Sequence, residues 1–452
     1  MFTDTHAHMF FDNFQDDLDD VLTRARTTGV DYIIIPGTDI KTSIEAIKLA
    51  DKYDFIFAAA GVHPHDTKDW DSSWIDKIKE LAAHDKVVAI GEIGLDYYYD
   101  FSPKDVQIKA FREQLDLAVE LGLPVIIHNR DSNEDMMEII RSYRDKDLRA
   151  QFHCFAGSLE DAKELITYNH MISFPGNITF KSREELREIL RHIDVEDLLL
   201  ETDSPFMTPV PHRGKRNEPA YVKLVAEKIA EVQNLTVEDV ARTTSYNVFK
   251  LFGIGNKPEI SYTYRIGESL YINTTNRCNA HCVFCDKDGD AVIKGYNLKM
   301  KKSEEPTVEQ YISEIGDPTK YKEIVFCGYG EPTIRWDVIR EVASYVKQNG
   351  GTTRINTNGH GNVINHRDIT PEFEGVIDSI SVSLNSVDPQ QYASLMRVTP
   401  EMHAEMLDFV KKAKNYTRVV MTIVGMNDVD TEEAKKFVNQ QLGLEFRERV
   451  YF

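Results

Sequence analysis

Residues 87–131 read VVAIGEIGLDYYYDFSPKDVQIKAFREQLDLAVELGLPVIIHNRD, and this stretch decides the fold of the first half of the chain. A β-rich run, Val87–Asp96, precedes a segment of helical periodicity, FREQLDLAVELG, which ends in the helix-stopping Gly122. A second β-rich run, Leu123–Asp131, follows. Strand, helix, strand in this order is the unit of a parallel sheet. Six more such runs lie on either side: Phe2–His8, Asp31–Thr38, Phe55–Pro64, Arg149–Gly157, Met171–Phe180 and Asp197–Phe206. Eight strands alternating with helices predict an α/β fold, a (β/α)8 TIM barrel over residues 1–256, with closing helices over 219–253.

The turn-rich stretch GIGNKPEISYTYR (253–265) places a domain boundary near Asn256 and a linker over 257–267. Residues 268–452 repeat the alternation on a smaller scale. Expected strands are Leu270–Thr275, Glu323–Thr333, Thr353–Gly359, Ser379–Asn385, Arg418–Gly425 and Glu445–Phe452, a partial (β/α)6 barrel.

The chain has 452 residues, enough for two or three domains that each bury a core. No stretch approaches the roughly 20 apolar residues of a membrane span. The start, MFTDTHAHMF, lacks the basic and apolar regions of a signal peptide. A cytoplasmic protein with no membrane partner is expected. Net charge is −21, of which −17 falls in residues 1–256. Such a surface repels bulk nucleic acid, so a nucleic-acid substrate needs a local basic rim or metal ions. The five cysteines are Cys154, Cys278, Cys282, Cys285 and Cys327; three lie within eight residues, which reads as ligation and not as a disulfide framework.

Function in a barrel of this kind concentrates at the C-terminal ends of the strands. There the sequence sets THAH (His6, His8), GEIGLD (Glu92), HNR (His128), FHCFAG (His153) and ETDSP (Asp203). Any one of 14 histidines is usually a satisfied core or surface residue. Recurrence at strand ends sets these apart. Four imidazoles and two carboxylates are too many for one open catalytic ion, so two divalent cations (Zn, Mn or Mg) are expected. Asp203 is suited both to ligate a cation and to accept the proton of an attacking water.

The stretches DTHAH, GVHPH, GEIGLDYYYD, HNRDSNED, FHCFAG, ETDSPF and PHRGKRNEP resemble, in order over residues 1–253, the TatD-like metal-dependent deoxyribonucleases of the amidohydrolase superfamily. The resemblance implies phosphodiester hydrolysis. It implies one metal at His6, His8, Glu92 and Asp203, and a second at Glu92, His128 and His153. It sets His63 and His65 facing the substrate phosphate, with Arg130 as a cationic contact. The HRGKR segment supplies further cations or is a solvated loop. Similar proteins include aminoacyl-tRNA deacylases, so the family leaves the ester open.

In the second half, CNAHCVFC sets Cys278, Cys282 and Cys285 in Cys-x3-Cys-x2-Cys spacing after the strand LYINTT. Three thiolates so spaced can hold three irons of a [4Fe–4S] cubane, leaving the fourth iron for a small molecule. Structural zinc would need Cys327 or His281 to complete a closed set. The context resembles the radical S-adenosylmethionine superfamily: CNAHCVFC includes Phe284 before the last cysteine, and FCGYGEPT, INTNG and SVSLN resemble the following strands. The resemblance implies S-adenosylmethionine contacts from Gly328, Gly330, Glu331, Asn358, Ser383, Asn385 and Arg397. It also implies an electron donor such as flavodoxin or ferredoxin. The expected protein is a bifunctional enzyme acting on a nucleotide or nucleic-acid-derived substrate. The alternatives are hydrolysis of another ester with the cluster domain modifying or sensing the same substrate, and a non-hydrolytic scaffold that presents substrate to the radical domain.

Overall fold

A computed structural model of the chain describes residues 2–285, 289–426 and 429–450. The chain divides into two compact units, Met1–Lys257 and Pro258–Phe452. No helix among the described residues is long and apolar enough to cross a membrane.

In the first unit, eight strands pair in chain order, each parallel to the next: β1 (Phe2–Asp4), β2 (Val30–Pro36), β3 (Ile56–Ala60), β4 (Val87–Asp96), β5 (Val125–Arg130), β6 (Ala150–Phe152), β7 (Met171–Phe174) and β8 (Leu198–Leu200). The Thr5 N–H donates to Leu200 O (2.9 Å), Asp203 N–H to His6 O (2.9 Å) and His8 N–H to Ser204 O (2.8 Å). These bonds carry the sheet round into the expected barrel. Helices cover its outside. In Lys104–Leu121, Phe111, Leu115 and Ala118 turn a buried stripe toward the strands. β4 is buried along its whole length, as a parallel strand covered on both faces must be.

In this unit five expected strands end four or more residues early, those read to His8, Pro64, Gly157, Phe180 and Phe206. The reading to His8 and to Phe206 extends beyond the regular pairing, which stops at Asp4 and Leu200. His6 and His8 flank an isolated bridge at Ala7, opposite Ser204. The chain leaves the ladder where its side chains turn to chemistry.

The second unit holds one seven-stranded sheet in the order β17-β16-β15-β14-β13-β10-β9. Its members are β9 (Thr263–Ile266), β10 (Ser269–Asn273), β13 (Ile324–Cys327), β14 (Thr353–Thr357), β15 (Ser379–Ser383), β16 (Arg418–Gly425) and β17 (Glu445–Val450). A small hairpin, β11 (Val292–Ile293) and β12 (Tyr296–Asn297), lies apart from it. Six strands are parallel, as a partial barrel requires, and β9 runs antiparallel to β10. β9 lies inside the stretch read as linker. Its alternation, TYRI, precedes the two-residue turn Gly267–Glu268, a hairpin signal that the neighbouring turn residues obscured. The last two residues of the expected strand Glu445–Phe452 lie outside the described residues. Ile272, Phe326, Ile355, Ile380 and Met421 face the helices, where they pack with Trp336 and Phe409.

Gly94 holds β4 against β5. It sits opposite His128, at φ +145°, and a Cβ there would lie 1.9 Å from the His128 carbonyl oxygen. Gly94→Ala must therefore part the two strands that carry Glu92 and His128. We expect a loss of more than about 4 kcal/mol from the first-unit unfolding transition, measured by calorimetry with denaturant titration. A change within about 1 kcal/mol would contradict this packing.

Candidate active sites

Glu92 stands at the centre of the first barrel's C-terminal mouth, and its two oxygens face two different groups. Oε2 is 3.3 Å from His6 Nε2 and 3.6 Å from His8 Nε2. Oε1 is 2.8 Å from His153 Nε2, 3.1 Å from His128 Nδ1 and 3.5 Å from His63 Nε2. Asp203 closes the first group, with Oδ1 at 3.9 Å from His6 Nε2 and 3.7 Å from His8 Nε2. All six expected ligand residues thus meet around one carboxylate.

The donor set fits divalent cations. Nitrogen faces nitrogen at 3.2 Å in both the His6–His8 and the His128–His153 pairs, beside buried carboxylate oxygens. Three combinations bring ligand atoms within 4.8 Å of one another: His6, His8 and Asp203; His63, Glu92 and His128; and His6, His153 and Glu201. His6 belongs to two of these combinations, and Glu92 of the remaining one also lies 3.3 Å from His6 Nε2.

Burial and mutual charge set the protonation of the cluster. Burial drives His6 well below the usual imidazole range and lowers His8 to about 4. For Glu92, burial opposes ionisation, but the imidazoles of His153, His63 and His6 hold it well below the usual carboxylate range. For His153, burial opposes the charge, and Glu92 overcomes it, raising the imidazole to about 9. Burial pushes Asp203 up to about 7, with His153 acting against it. Without a cation, the cluster therefore keeps Glu92 ionised while burial disfavours the charge of Asp203.

His63 and His65 take different places. His63 enters the ligand cluster through Glu92, whereas His65 Nε2 contacts Asp96 Oδ2 at 2.8 Å. The same Asp96 oxygen contacts His128 Nε2 at 3.1 Å. Asp96 thus orients His128 from behind, a role the sequence reading missed. Its signal was the strand period: Glu92, Gly94 and Asp96 share one face of β4. Glu201 was missed likewise, two residues before Asp203. It accepts from the Cys154 N–H (2.7 Å) and the Ser173 hydroxyl (2.7 Å) below the cluster. Arg130 is exposed, with its guanidinium 3.9 Å from the centre of the Tyr98 ring. In the HRGKR segment, Arg216 is engaged by Asp17 at 2.7 Å, while Arg213 lies over Phe180.

In the second unit, Cys278, Cys282 and Cys285 lie on the loop after β10, outside any disulfide. Cys278, Cys282 and Phe284 pack against the core, and the His281 and Val283 N–H groups bond to Met396 O (3.0 Å) and Leu395 O (2.9 Å). Three thiols on one anchored loop fit the expected cubane. Cys327, weighed as a fourth ligand, pairs with Asn273 in the sheet and lies 2.9 Å from the Tyr264 hydroxyl.

Segment 328–331 lies against this loop. A Cβ on Gly330 would sit 2.3 Å from Arg277 O, so only glycine allows the approach. The buried Glu331 carboxylate accepts from Thr333 Oγ1 (2.6 Å), Thr357 Oγ1 (2.7 Å) and Asn358 N–H (2.8 Å). It ties the segment after β13 to the end of β14. Asn358 Nδ2 is 3.9 Å from Cys278 Sγ. Asn385 Nδ2 and Cys282 Sγ both contact Met396 Sδ, at 3.0 and 3.4 Å, and the buried Asn385 Oδ1 has no hydrogen-bond partner. Gly328, Asn358 and Asn385 thus gather near the loop. Ser383 instead accepts from Arg449 (3.4 Å), and Arg397 is exposed at the end of its helix.

The first unit matches the family model described as TatD related DNase over residues 3–253, and the second matches the Radical SAM superfamily over 272–440. A Bacillus subtilis metal-dependent hydrolase, YabD, is 47% identical over 254 residues, which are 56% of this chain and 100% of that protein. The 3'-5' ssDNA/RNA exonuclease TatD of Escherichia coli K12 is 38% identical over 257 residues, 56% of this chain and 98% of its own. The crystal structure of YJJV, a TatD homolog from Escherichia coli K12, aligns with a TM-score of 0.53 and 30% identity, over 56% of this chain and 98% of that one. The chain is therefore an enzyme that belongs to the TatD related DNase family and carries a radical SAM domain after its hydrolase barrel.

Proposed function

We propose that the first unit hydrolyses phosphodiesters of a nucleotide or nucleic acid with two divalent cations (Zn, Mn or Mg). His6, His8 and Asp203 hold one, His128 and His153 the other, and Glu92 is shared. The observation that carries this reading is Glu92 itself, whose two oxygens address separate imidazole groups. The exonuclease name of the Escherichia coli relative supports the same substrate class.

The bound cations supply Lewis acidity and a reactive water. Asp203 takes that water's proton as the oxygen bonds to phosphorus; the ester oxygen leaves with the bonding pair and is protonated from solvent. Asp96 keeps His128 and His65 oriented, and Arg130 with His65 receives the anionic oxygens of the substrate.

The second unit is proposed to bind a [4Fe–4S] cluster at Cys278, Cys282 and Cys285 and S-adenosylmethionine beside it. The backbone of Gly328, Gly330 and Glu331 meets the methionyl group, and Asn358, Ser383, Asn385 and Arg397 reach toward ribose and carboxylate. A cluster held there would supply one-electron reduction for cleavage of S-adenosylmethionine, with flavodoxin or ferredoxin as the electron source. The chain orients the cofactor and excludes water. Both activities then lie on one polypeptide, in cytoplasm.

Asp203→Asn keeps the shape of the side chain but lowers its basicity and charge. Hydrolysis of a single-stranded oligonucleotide should fall at least about 100-fold, with circular dichroism and thermal unfolding near the parent's. Undiminished turnover at unchanged metal content would assign the proton to another group.

Replacing Cys278, Cys282 and Cys285 together with Ala should abolish iron loading and 5′-deoxyadenosine release under dithionite. Hydrolysis should persist, because all six proposed cation ligands precede residue 204. Loss of hydrolysis in soluble, folded triple variant would overturn the independence of the two centres.

A further inference from the structure

The second unit keeps a buried histidine that none of the steps above uses. His360 and Tyr392 are fully buried, and His360 ties three parts of the unit together. Its Nδ1 lies 3.0 Å from Asn279 Nδ2, on the cysteine loop. Its Nε2 lies 2.8 Å from the hydroxyl of Tyr392, on the helix Pro389–Met396. The same helix ends in the Leu395 and Met396 carbonyls that hold Val283 and His281 of the loop. The third part is Asn358, just after β14. The His360 N–H donates to Asn358 Oδ1 (2.9 Å), while Asn358 Nδ2 donates to Asn279 Oδ1 (2.9 Å) and lies 3.9 Å from Cys278 Sγ.

One arrangement of protons satisfies these contacts. A backbone N–H can only donate, so Asn358 must turn Oδ1 toward residue 360 and Nδ2 toward the loop. Asn279 must then receive on Oδ1 and donate from Nδ2. That makes His360 Nδ1 an acceptor and leaves the imidazole proton on Nε2, toward Tyr392. Burial lowers His360 to about 4, so at neutral pH the ring carries no charge and Nδ1 can accept. The chain of bonds thus aims an amide nitrogen, with its partial positive charge, at the Cys278 sulfur. The Ala280 N–H approaches the same sulfur at 3.4 Å.

We propose that Asn358 tunes the iron–sulfur cluster held at Cys278, Cys282 and Cys285, with Asn279 and His360 as its positioning residues: the Asn358 amide nitrogen stabilises the added negative charge of the reduced cluster and raises its reduction potential. The proposal rests on the cluster reading of the three cysteines. Hydrogen-bond donors directed at cluster sulfurs favour the reduced form, because that form carries one more negative charge. His360 acts one step removed. It holds Asn279, the residue next to Cys278, so that Asn358 keeps its partner and its orientation. The second lone pair of Asn358 Oδ1 is left for S-adenosylmethionine.

The test is a potentiometric titration of the full chain, reconstituted with iron and sulfide under anaerobic conditions and without S-adenosylmethionine. The readout is the electron paramagnetic resonance of the reduced cluster. Asn358→Leu should shift the midpoint potential to more negative values. His360→Leu and Asn279→Ala should shift it in the same direction by less. His360→Asn, whose Oδ1 stands in for Nδ1 as acceptor, should stay closer to the parent than His360→Leu. The His360→Leu shift should vanish in an Asn358→Leu background, because it acts through that amide. Asn279 is exposed, so Asn279→Ala tests the network even if replacing the buried histidine impairs folding. A midpoint unchanged in Asn358→Leu, or moved to more positive values, at full iron content would overturn the proposal. So would a His360→Leu shift that persists undiminished beside Asn358→Leu, which would make the histidine a purely structural residue. A parent chain that takes up no iron would refute the cluster reading itself, whereas a loaded parent with unmoved variants refutes the tuning alone.

Discussion

An ionised carboxylate buried at the mouth of a barrel has to be compensated, and in this protein Glu92 is compensated by imidazoles on every side. Removing a carboxylate from water costs several kcal/mol unless charge or hydrogen bonds replace the lost hydration. The nearest imidazoles come from the ends of β1, β3, β5 and β6, so the whole barrel has to close for the set to assemble. The bonds of Thr5 to Leu200 and of Asp203 to His6, which join the first and last strands, are thus also what brings His6 and Asp203 together. Closure of the fold and assembly of the site are the same event.

The second unit solves a different problem with backbone. Glycine at 330 lets segment 328–331 press against the cysteine loop, and the Glu331 carboxylate locks that segment to β14. The two units share parallel strands, but one gathers imidazoles and carboxylates at its strand ends and the other sets a glycine-rich segment against a cysteine loop.

Most of this was legible in the sequence, because strand-end histidines and clustered cysteines are local signals. β4 and β16 run over the residues read for them as β-rich runs, Val87–Asp96 and Arg418–Gly425. β1, β3, β6, β7 and β8 are shorter than read, since apolar and site residues continue past the point where pairing stops. β9 was hidden among turn residues. Asp96, Glu201 and the nearness of His63 to Glu92 depend on which strand lies next to which, and on the depth at which each side chain sits.

Anomalous diffraction from crystals of the full chain grown with Mn2+ addresses the central claim most directly. Two strong peaks should appear on either side of Glu92, one toward His6, His8 and Asp203 and the other toward His128 and His153. A single peak, or manganese bound elsewhere with the six side chains paired only to one another, would contradict the account of a shared carboxylate between two cations.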